Sequence, residues 1–135
     1  MSQKNKKVEK GVHIIANLFD CKNGEYLVDK KKLEKLLTNS IERNGLNVVH
    51  KYFHKFVPEG MDGNENEIYG MTGYMLLAES HVSVHTWPDR NNYVAMDIFV
   101  CNYSKDNRKN AKKIYQELLD NFKPARIEET FLRRN

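Results

Sequence analysis

The sequence predicts an α+β fold: a two-layer sandwich of a mainly antiparallel sheet with two helices on one face, in the order β-α-β-β-β-β-α-β. Three observations predict it. Apolar and polar residues alternate along several short segments, the period of strand side chains. Two other segments carry apolar residues at helical spacing. Strands late in the chain follow one another through short turns, so they pair as hairpins, and hairpins with helices gathered on one face make an α+β fold.

The elements follow in order. Residues 1–10 are polar and read as a flexible tail on a single domain spanning 1–135. Gly11–Phe19 is a strand, with His13, Ile15, Asn17 and Phe19 on one face. Residues 20–25 form a loop. Asp29 caps a helix whose stripe is Leu33, Leu36, Leu37 and Ile41, and Asn44-Gly45 closes it. A second strand covers 46–56, with Val48, His50, Tyr52 and His54 facing one way and Val49, Lys51, Phe53 and Lys55 the other. Residues 58–70 are a long polar loop rich in Gly, Asn and Glu, of a length that often serves as a functional lid. A third strand, 71–78, runs directly into Glu79-Ser80.

From His81 the alternation is strict. His81, Ser83 and His85 share one face, and Val82, Val84 and Thr86 the other, until Pro88 ends the run. Asp89-Arg90-Asn91-Asn92 is turn chemistry. In Tyr93–Cys101, Val94, Met96, Ile98 and Val100 oppose Tyr93, Ala95, Asp97, Phe99 and Cys101. Ser104 or Asp106 caps the second helix, which carries Ala111, Ile114, Tyr115, Leu118, Leu119 and Phe122 and stops at Pro124. Residues 125–132 make a last strand.

Composition narrows the functions. A net charge of +4 is modest, and much of it lies at the ends, in Lys4, Lys6, Lys7, Arg133 and Arg134. No basic stripe interleaves with stacking aromatics, so nucleic acid is not an expected partner. Nothing reads as a signal peptide or a membrane span, and two cysteines, Cys21 and Cys101, build no disulfide framework. The expected setting is the cytoplasm, with both thiols reduced.

One sheet face therefore gathers Ser, His, Asp and Cys while the other is aliphatic and packs on helices. Several chemistries are excluded for that polar face. His81 and His85 lie about 13 Å apart along a strand, too far to share one metal, and no CxxC or HExxH pattern adds ligands. No GxSxG elbow, Walker loop or Rossmann glycine pattern is present. No metal is expected.

The stretch Ala78-Glu79-Ser80-His81-Val82-Ser83-Val84-His85-Thr86-Trp87-Pro88, followed by Ala95-Met96-Asp97-Ile98-Phe99-Val100-Cys101, closely resembles the bacterial and archaeal S-adenosylmethionine decarboxylases. Gly11-Val12-His13-Ile14-Ile15-Ala16 and Phe53-His54-Lys55-Phe56-Val57-Pro58 resemble the same family's first two strands, so most of the chain is covered. These are small pyruvoyl-dependent enzymes made as proenzymes.

The resemblance implies self-cleavage between Glu79 and Ser80, giving a β chain of 1–79 and an α chain of 80–135 that begins with a covalent pyruvoyl group derived from Ser80. The Ser80 hydroxyl attacks the preceding carbonyl, and a base then removes its Cα proton. His85 matches the family's processing histidine, and Thr72 falls where a hydroxyl residue supports processing. The pyruvoyl carbonyl forms a Schiff base with the substrate amine, and Cys101 matches the proton donor that completes decarboxylation. Asp97 shares a face with Cys101, where it tunes that site or serves as a structural hydrogen-bonding residue. Phe56 matches an aromatic that stacks on adenine. The resemblance further implies a homodimer of processed αβ units, each active site drawing on both protomers.

Three departures cluster where substrate should bind. Asp89 stands where the family has a ribose-gripping glutamate. The turn at Arg90-Asn91-Asn92-Tyr93 is one residue longer than the family's. The loop at 58–71 is roughly ten residues longer, an addition that costs little backbone entropy, and it carries Glu59, Asp62, Glu65 and Glu67. The main expectation is decarboxylation of S-adenosylmethionine for polyamine, and hence spermidine, synthesis. A pyruvoyl-dependent decarboxylase of arginine or ornithine stays open beside it. So does a non-catalytic homologue that binds or regulates a partner, against which the retention of Glu79, Ser80, His85 and Cys101 argues.

Overall fold

Alternation along the strands sends Val12, Ile14, Ala16 and Leu18 to the same side as Val82, Val84, Val94, Met96, Ile98 and Val100, and helices cover that side. The computed structural model describes residues 10–57, 69–102 and 105–134. Its elements are β1 (Gly11–Phe19), α1 (Glu25–Val28), α2 (Lys30–Arg43), β2 (Val48–Lys55), β3 (Met71–Leu77), β4 (His81–Trp87), β5 (Tyr93–Cys101), α3 (Arg108–Phe122) and β6 (Arg126–Arg134). The six strands form one antiparallel sheet in the order β2-β3-β4-β5-β1-β6. β1 thus fits between the β5 hairpin arm and the last strand. The polar tail 1–10, apart from Lys10, the acidic insertion and Ser104 lie outside the described residues.

The core lies between the sheet and α2 and α3. Leu33, Leu37 and Ile41 of α2 and Ala111, Ile114, Leu118 and Phe122 of α3 are fully buried against the strand residues named above. Each such large side chain contributes about 1.5–3 kcal/mol relative to exposure. Asp29 caps α2 as its position suggests, accepting from the Lys32 N–H at 3.1 Å. Gly45 takes φ +83° just past the helix end, a conformation that costs glycine nothing. Glu117 of α3 locks the two helices together. It accepts from Arg43 at 2.6 Å, Ser40 at 2.8 Å and Asn44 at 3.2 Å. These partners, Arg43 foremost, hold its carboxyl below the usual range against the opposing effect of burial.

Four details depart from the sequence reading. The loop after β1 is shorter, because Glu25–Val28 folds into one helical turn, α1, whose Leu27 is buried. Among the described residues three helices therefore cover the sheet where two are expected. The faces of β2 are inverted at its start. A bulge between Val48 and His50 turns Val48 toward the core, together with Lys51, Phe53 and Lys55, and leaves His50, Tyr52 and His54 on the bare side. Asn107 is the N-cap of α3 and its side chain donates to the Cys101 carbonyl at 2.8 Å, while Asp106 accepts from the Arg108 N–H at 3.0 Å. The last strand extends to Arg134.

Phe53 and Gly73 face each other across β2 and β3. A Cβ on Gly73 would sit 2.2 Å from the Phe53 ring, so the ring occupies the space a side chain would need. Thr86 is the one core hydroxyl of β4: fully buried, it donates to the Leu27 carbonyl at 2.8 Å and accepts from the Met71 N–H at 2.9 Å. It ties α1 and the start of β3 to the central hairpin. Thr86→Val keeps the shape and strands both backbone partners, so unfolding free energy should fall by about 2–4 kcal/mol in a urea titration.

Candidate functional site

With the helices on one side, the other face of the sheet is bare, and register places its side chains in rows. The first row holds Cys101, Gly11 and Arg134, with Ser80 beside Cys101 just ahead of β4. The second holds Leu76, His81, Phe99, His13 and Leu132, and the third Tyr74, Ser83, Asp97, Ile15 and Thr130. The fourth begins with Thr72, His85 and Ala95. Apolar members of this face remain open to solvent, with Leu76 at 45% and Leu132 at 43% exposure.

Ser80 sits in the turn between β3 and β4. The Leu77 N–H donates to the Ser80 carbonyl at 2.8 Å, so Ala78 and Glu79 form the tip of a tight hairpin. The Glu79–Ser80 peptide is thus held in a turn and not in a ladder. Ser80 is nearly buried, and its Oγ accepts from the Cys101 N–H at 3.0 Å. The Cys101 thiol is half-buried on the same edge. Burial pushes its pKa up, Glu79 pushes the same way, and Arg134 opposes them. The net direction keeps the sulfur protonated at neutral pH. Gly11 is opposite Cys101 in β1, where a Cβ would lie 2.6 Å from the Val100 carbonyl oxygen.

His85 occupies the far end of β4. Its Nδ1 lies 3.1 Å from the Thr72 Oγ1, and its ring stacks on Trp87 at 5.9 Å between centroids. Phe56 follows β2 at this same end, bonded through its N–H to the Gly70 carbonyl at 2.8 Å, with its ring 5.9 Å from His54. Asp89 is exposed in the loop after Trp87-Pro88. Asn91 and Asn92 take left-handed φ values of 55° and 51°, a region asparagine tolerates. Asn92 also anchors the loop to Cys21, through backbone and side-chain bonds of 3.0 and 3.1 Å.

The residues singled out from the sequence therefore fall into two groups. Ser80, Glu79 and Cys101 share one edge of the bare face; Thr72, His85, Phe56 and Asp89 share the opposite edge. Ser80 and His85 are five positions apart, about 16 Å along a strand, so His85 does not reach Ser80 within one chain. A cleft of about 340 Å³ lined by Val12, Arg108, Lys112, Phe131, Leu132 and Arg133 contains neither group. Sequence reasoning did not find the partner of Asp97. His13 Nε2 lies 2.7 Å from its Oδ1, and the His13 ring meets Phe99 and His81 edge-on at 5.9 and 6.4 Å. The only signal was that His13 and Asp97 each point to the polar face of their strands. Among the described residues no three His, Cys, Asp or Glu side chains gather as metal ligands. No described helix is long and apolar enough to cross a membrane.

A bare antiparallel sheet backed by helices, with a serine in a hairpin turn against a protonated thiol, defines an α+β protein with one polar, uncovered sheet face. The family model of S-adenosylmethionine decarboxylase matches residues 12–135, and the chain belongs to that family. A proenzyme of S-adenosylmethionine decarboxylase from Clostridium botulinum is 34% identical over 125 residues, 88% of this chain and 90% of that protein. The Methanococcus vannielii proenzyme is 40% identical over 91 residues, 67% of this chain and 65% of that protein. For the Thermosipho africanus proenzyme the match is 36% over 91 residues and spans 61% of its length. The crystal structure of the adenosylmethionine decarboxylase from Aquifex aeolicus VF5 shares the fold, with a TM-score of 0.78, 22% identity, and coverage of 96% of this chain and 93% of that one.

The two thiols should respond differently to iodoacetamide. Cys21 is buried, and burial followed by Asp20 pushes its pKa up to about 12. Peptide mapping of native protein treated at pH 8–9, an interval chosen around the ordinary thiol pKa of about 8.5, should find Cys101 modified and Cys21 intact. The Cys101 rate should still be climbing at the top of that interval.

Proposed function

We propose that the chain is a self-processing, pyruvoyl-dependent decarboxylase of S-adenosylmethionine. The observation that carries this reading is the Glu79–Ser80 peptide in a tight turn, its serine oxygen against the backbone of Cys101. Family membership and the proenzyme names of the relatives supply the reaction. A turn peptide with a nearly buried hydroxyl suits an intramolecular attack of Ser80 Oγ on the Glu79 carbonyl, because proximity replaces an encounter. The Cys101 N–H, already directed at that oxygen, is placed to stabilise charge that develops on it.

The residues fit the pyruvoyl group that such cleavage leaves at position 80. That carbonyl supplies an electrophile for the substrate amine and a sink for the electrons released with carbon dioxide. The chain's own contribution is the protonated Cys101 thiol beside it, and the aromatic and acidic side chains Phe56 and Asp89 for the nucleoside.

The separation of the two groups supports a homodimer of processed units. Two bare faces stacked about a two-fold axis would bring His85, Thr72, Phe56 and Asp89 of one protomer over Ser80 and Cys101 of the other. The same stacking would cover Leu76, Tyr74, Ile15 and Leu132, which are otherwise open to water. Thr72 then orients the His85 ring through Nδ1, leaving Nε2 to take the Ser80 Cα proton.

A second substrate class rests on one observation. Asp89 has a carboxylate one methylene shorter than the glutamate expected there, which weakens a grip on ribose. Arginine and ornithine therefore belong in the same assay.

Denaturing mass spectrometry of purified protein should show 1–79 and a pyruvoyl-blocked 80–135, and Ser80→Ala should remain one intact chain. The processed protein should release carbon dioxide from S-adenosylmethionine. Release from arginine or ornithine alone would replace the substrate, and an intact, inactive wild-type chain would end the reading. Co-expressing Ser80→Ala and His85→Ala chains should restore cleavage at about a quarter of the sites, since half the dimers are mixed and each mixed dimer holds one complete site. No cleavage in the mixture, with both variants folded, would place the base elsewhere.

A further inference from the structure

β5 outruns its neighbour β4, and the backbone groups left over at its end are taken by two side chains. The first residue of β4, His81, pairs with Phe99, while β5 continues to Cys101. On its other side Cys101 faces Gly11, but the bond there runs from the Asn102 N–H to the Lys10 carbonyl at 2.8 Å. In an antiparallel ladder successive residues turn their N–H and carbonyl toward opposite neighbours, so those of Cys101 point to the side where β4 has ended. The Ser80 hydroxyl accepts from the Cys101 N–H at 3.0 Å, and the Asn107 side-chain amide donates to the Cys101 carbonyl at 2.8 Å.

We propose that Asn107 is a positioning residue: its amide stands in for the missing strand and holds Cys101 against Ser80, for self-cleavage first and for the thiol of the mature site afterwards. The purpose of that anchor rests on the decarboxylase reading.

Asn107 does not behave as an ordinary helix cap. It is the N-cap of α3, where asparagine is favoured because its side-chain oxygen accepts from first-turn N–H groups, and here that bond is not made. Asp106 accepts from the Arg108 N–H instead, and the Asn107 Oδ1 accepts from the Asn110 side chain at 3.1 Å. Asn107 is also 1% exposed, and an amide so buried is costly unless its groups are bonded. Its Nδ2 meets that requirement on Cys101. Its own N–H donates to the Asn102 Oδ1 at 2.9 Å, so two bonds fasten the start of a 15-residue helix to residues 101 and 102. That helix is seated in the core through Ala111, Ile114, Leu118 and Phe122. The end of β5 takes its rigidity from α3, where it has no strand beside it. A displacement of about 1 Å at a reacting group can cost about 100-fold in rate.

Asn110→Asp separates an anchor from a cap. Position 110 lies in the first turn of α3, which holds no acidic residue, and a carboxylate there favours the helix. It only accepts, so it draws the Asn107 Nδ2 away from the Cys101 carbonyl. Chains made by cell-free synthesis are followed by denaturing mass spectrometry, and unfolding temperatures are measured in the Ser80→Ala background. Asn110→Asp should slow cleavage about 10- to 100-fold with an equal or higher unfolding temperature. Asn107→Ser, a capping side chain too short for the carbonyl, should slow it by the same order. Asp106→Ala, which removes the acceptor for the Arg108 N–H, should unfold at lower temperature and cleave at the wild-type rate. In processed Asn110→Asp enzyme, kcat for carbon dioxide release from S-adenosylmethionine should fall about 10-fold with KM within about twofold, since Asn107 holds the thiol and none of the groups assigned to the nucleoside. Wild-type cleavage in Asn110→Asp, or slowing in Asp106→Ala equal to that in Asn107→Ser, overturns the anchor, as does a KM rise with kcat unmoved. A wild-type chain that stays whole defeats the decarboxylase reading and the anchor with it; a wild-type chain that cleaves beside an equally fast Asn110→Asp defeats the anchor alone.

Discussion

The register between β4 and β5 is the constraint on which the rest depends. It pairs His81 with Phe99 and so lays the end of β5 beside the residue that precedes β4. The Cys101 N–H then has the Ser80 hydroxyl in front of it at 3.0 Å. A slip of β5 by one residue would turn Val94, Met96, Ile98 and Val100 out of the core and send Cys101 to the helix side. The aliphatic residues that drive folding therefore also hold Ser80 and Cys101 together. Thr86 secures the same hairpin from behind, by satisfying two backbone groups that packing would otherwise leave bare.

The one-sided placement of the helices leaves the polar face bare. α2 and α3 cover the aliphatic side and are joined through Glu117. The opposite side keeps histidines, a serine, a carboxylate and a thiol on strands, where backbone pairing limits their motion. Within it the edge with Ser80 and the edge with His85 differ in character. The first is small and tight, with Gly11 packed so closely against β5 that no side chain fits there. The second is aromatic, with Trp87 stacked on His85 and Tyr93 against Trp87 at 5.3 Å.

Family membership and local geometry carry different parts of the reading. The family supplies the reaction, and the geometry supplies a turn at the Glu79–Ser80 peptide and a thiol held protonated beside it. The departures are local. The turn after Asp89 is stabilised by two left-handed asparagines and by Cys21, so its added residue is built in without disturbing the strands. Asp89 itself remains exposed, free of any role in the core.

The sequence alone determined the strand faces, the amphipathic helices and the Glu79-Ser80 junction, because these follow from neighbours a few residues apart. Asp29 as a cap and Gly45 as a helix end were readable for the same reason. The bulge that turns Val48 inward was not, since it answers to pairing with β3 across a long loop. Nor was α1, a single turn too short to show a period. The tertiary structure decided that β1 lies between β5 and β6, which places His13 against Asp97, 84 residues away. It also decided that Ser80 and His85, close in sequence, stand at opposite ends of one strand. An extended backbone separates residues that a helix or turn would keep together, and no local pattern states which distant strand will lie alongside.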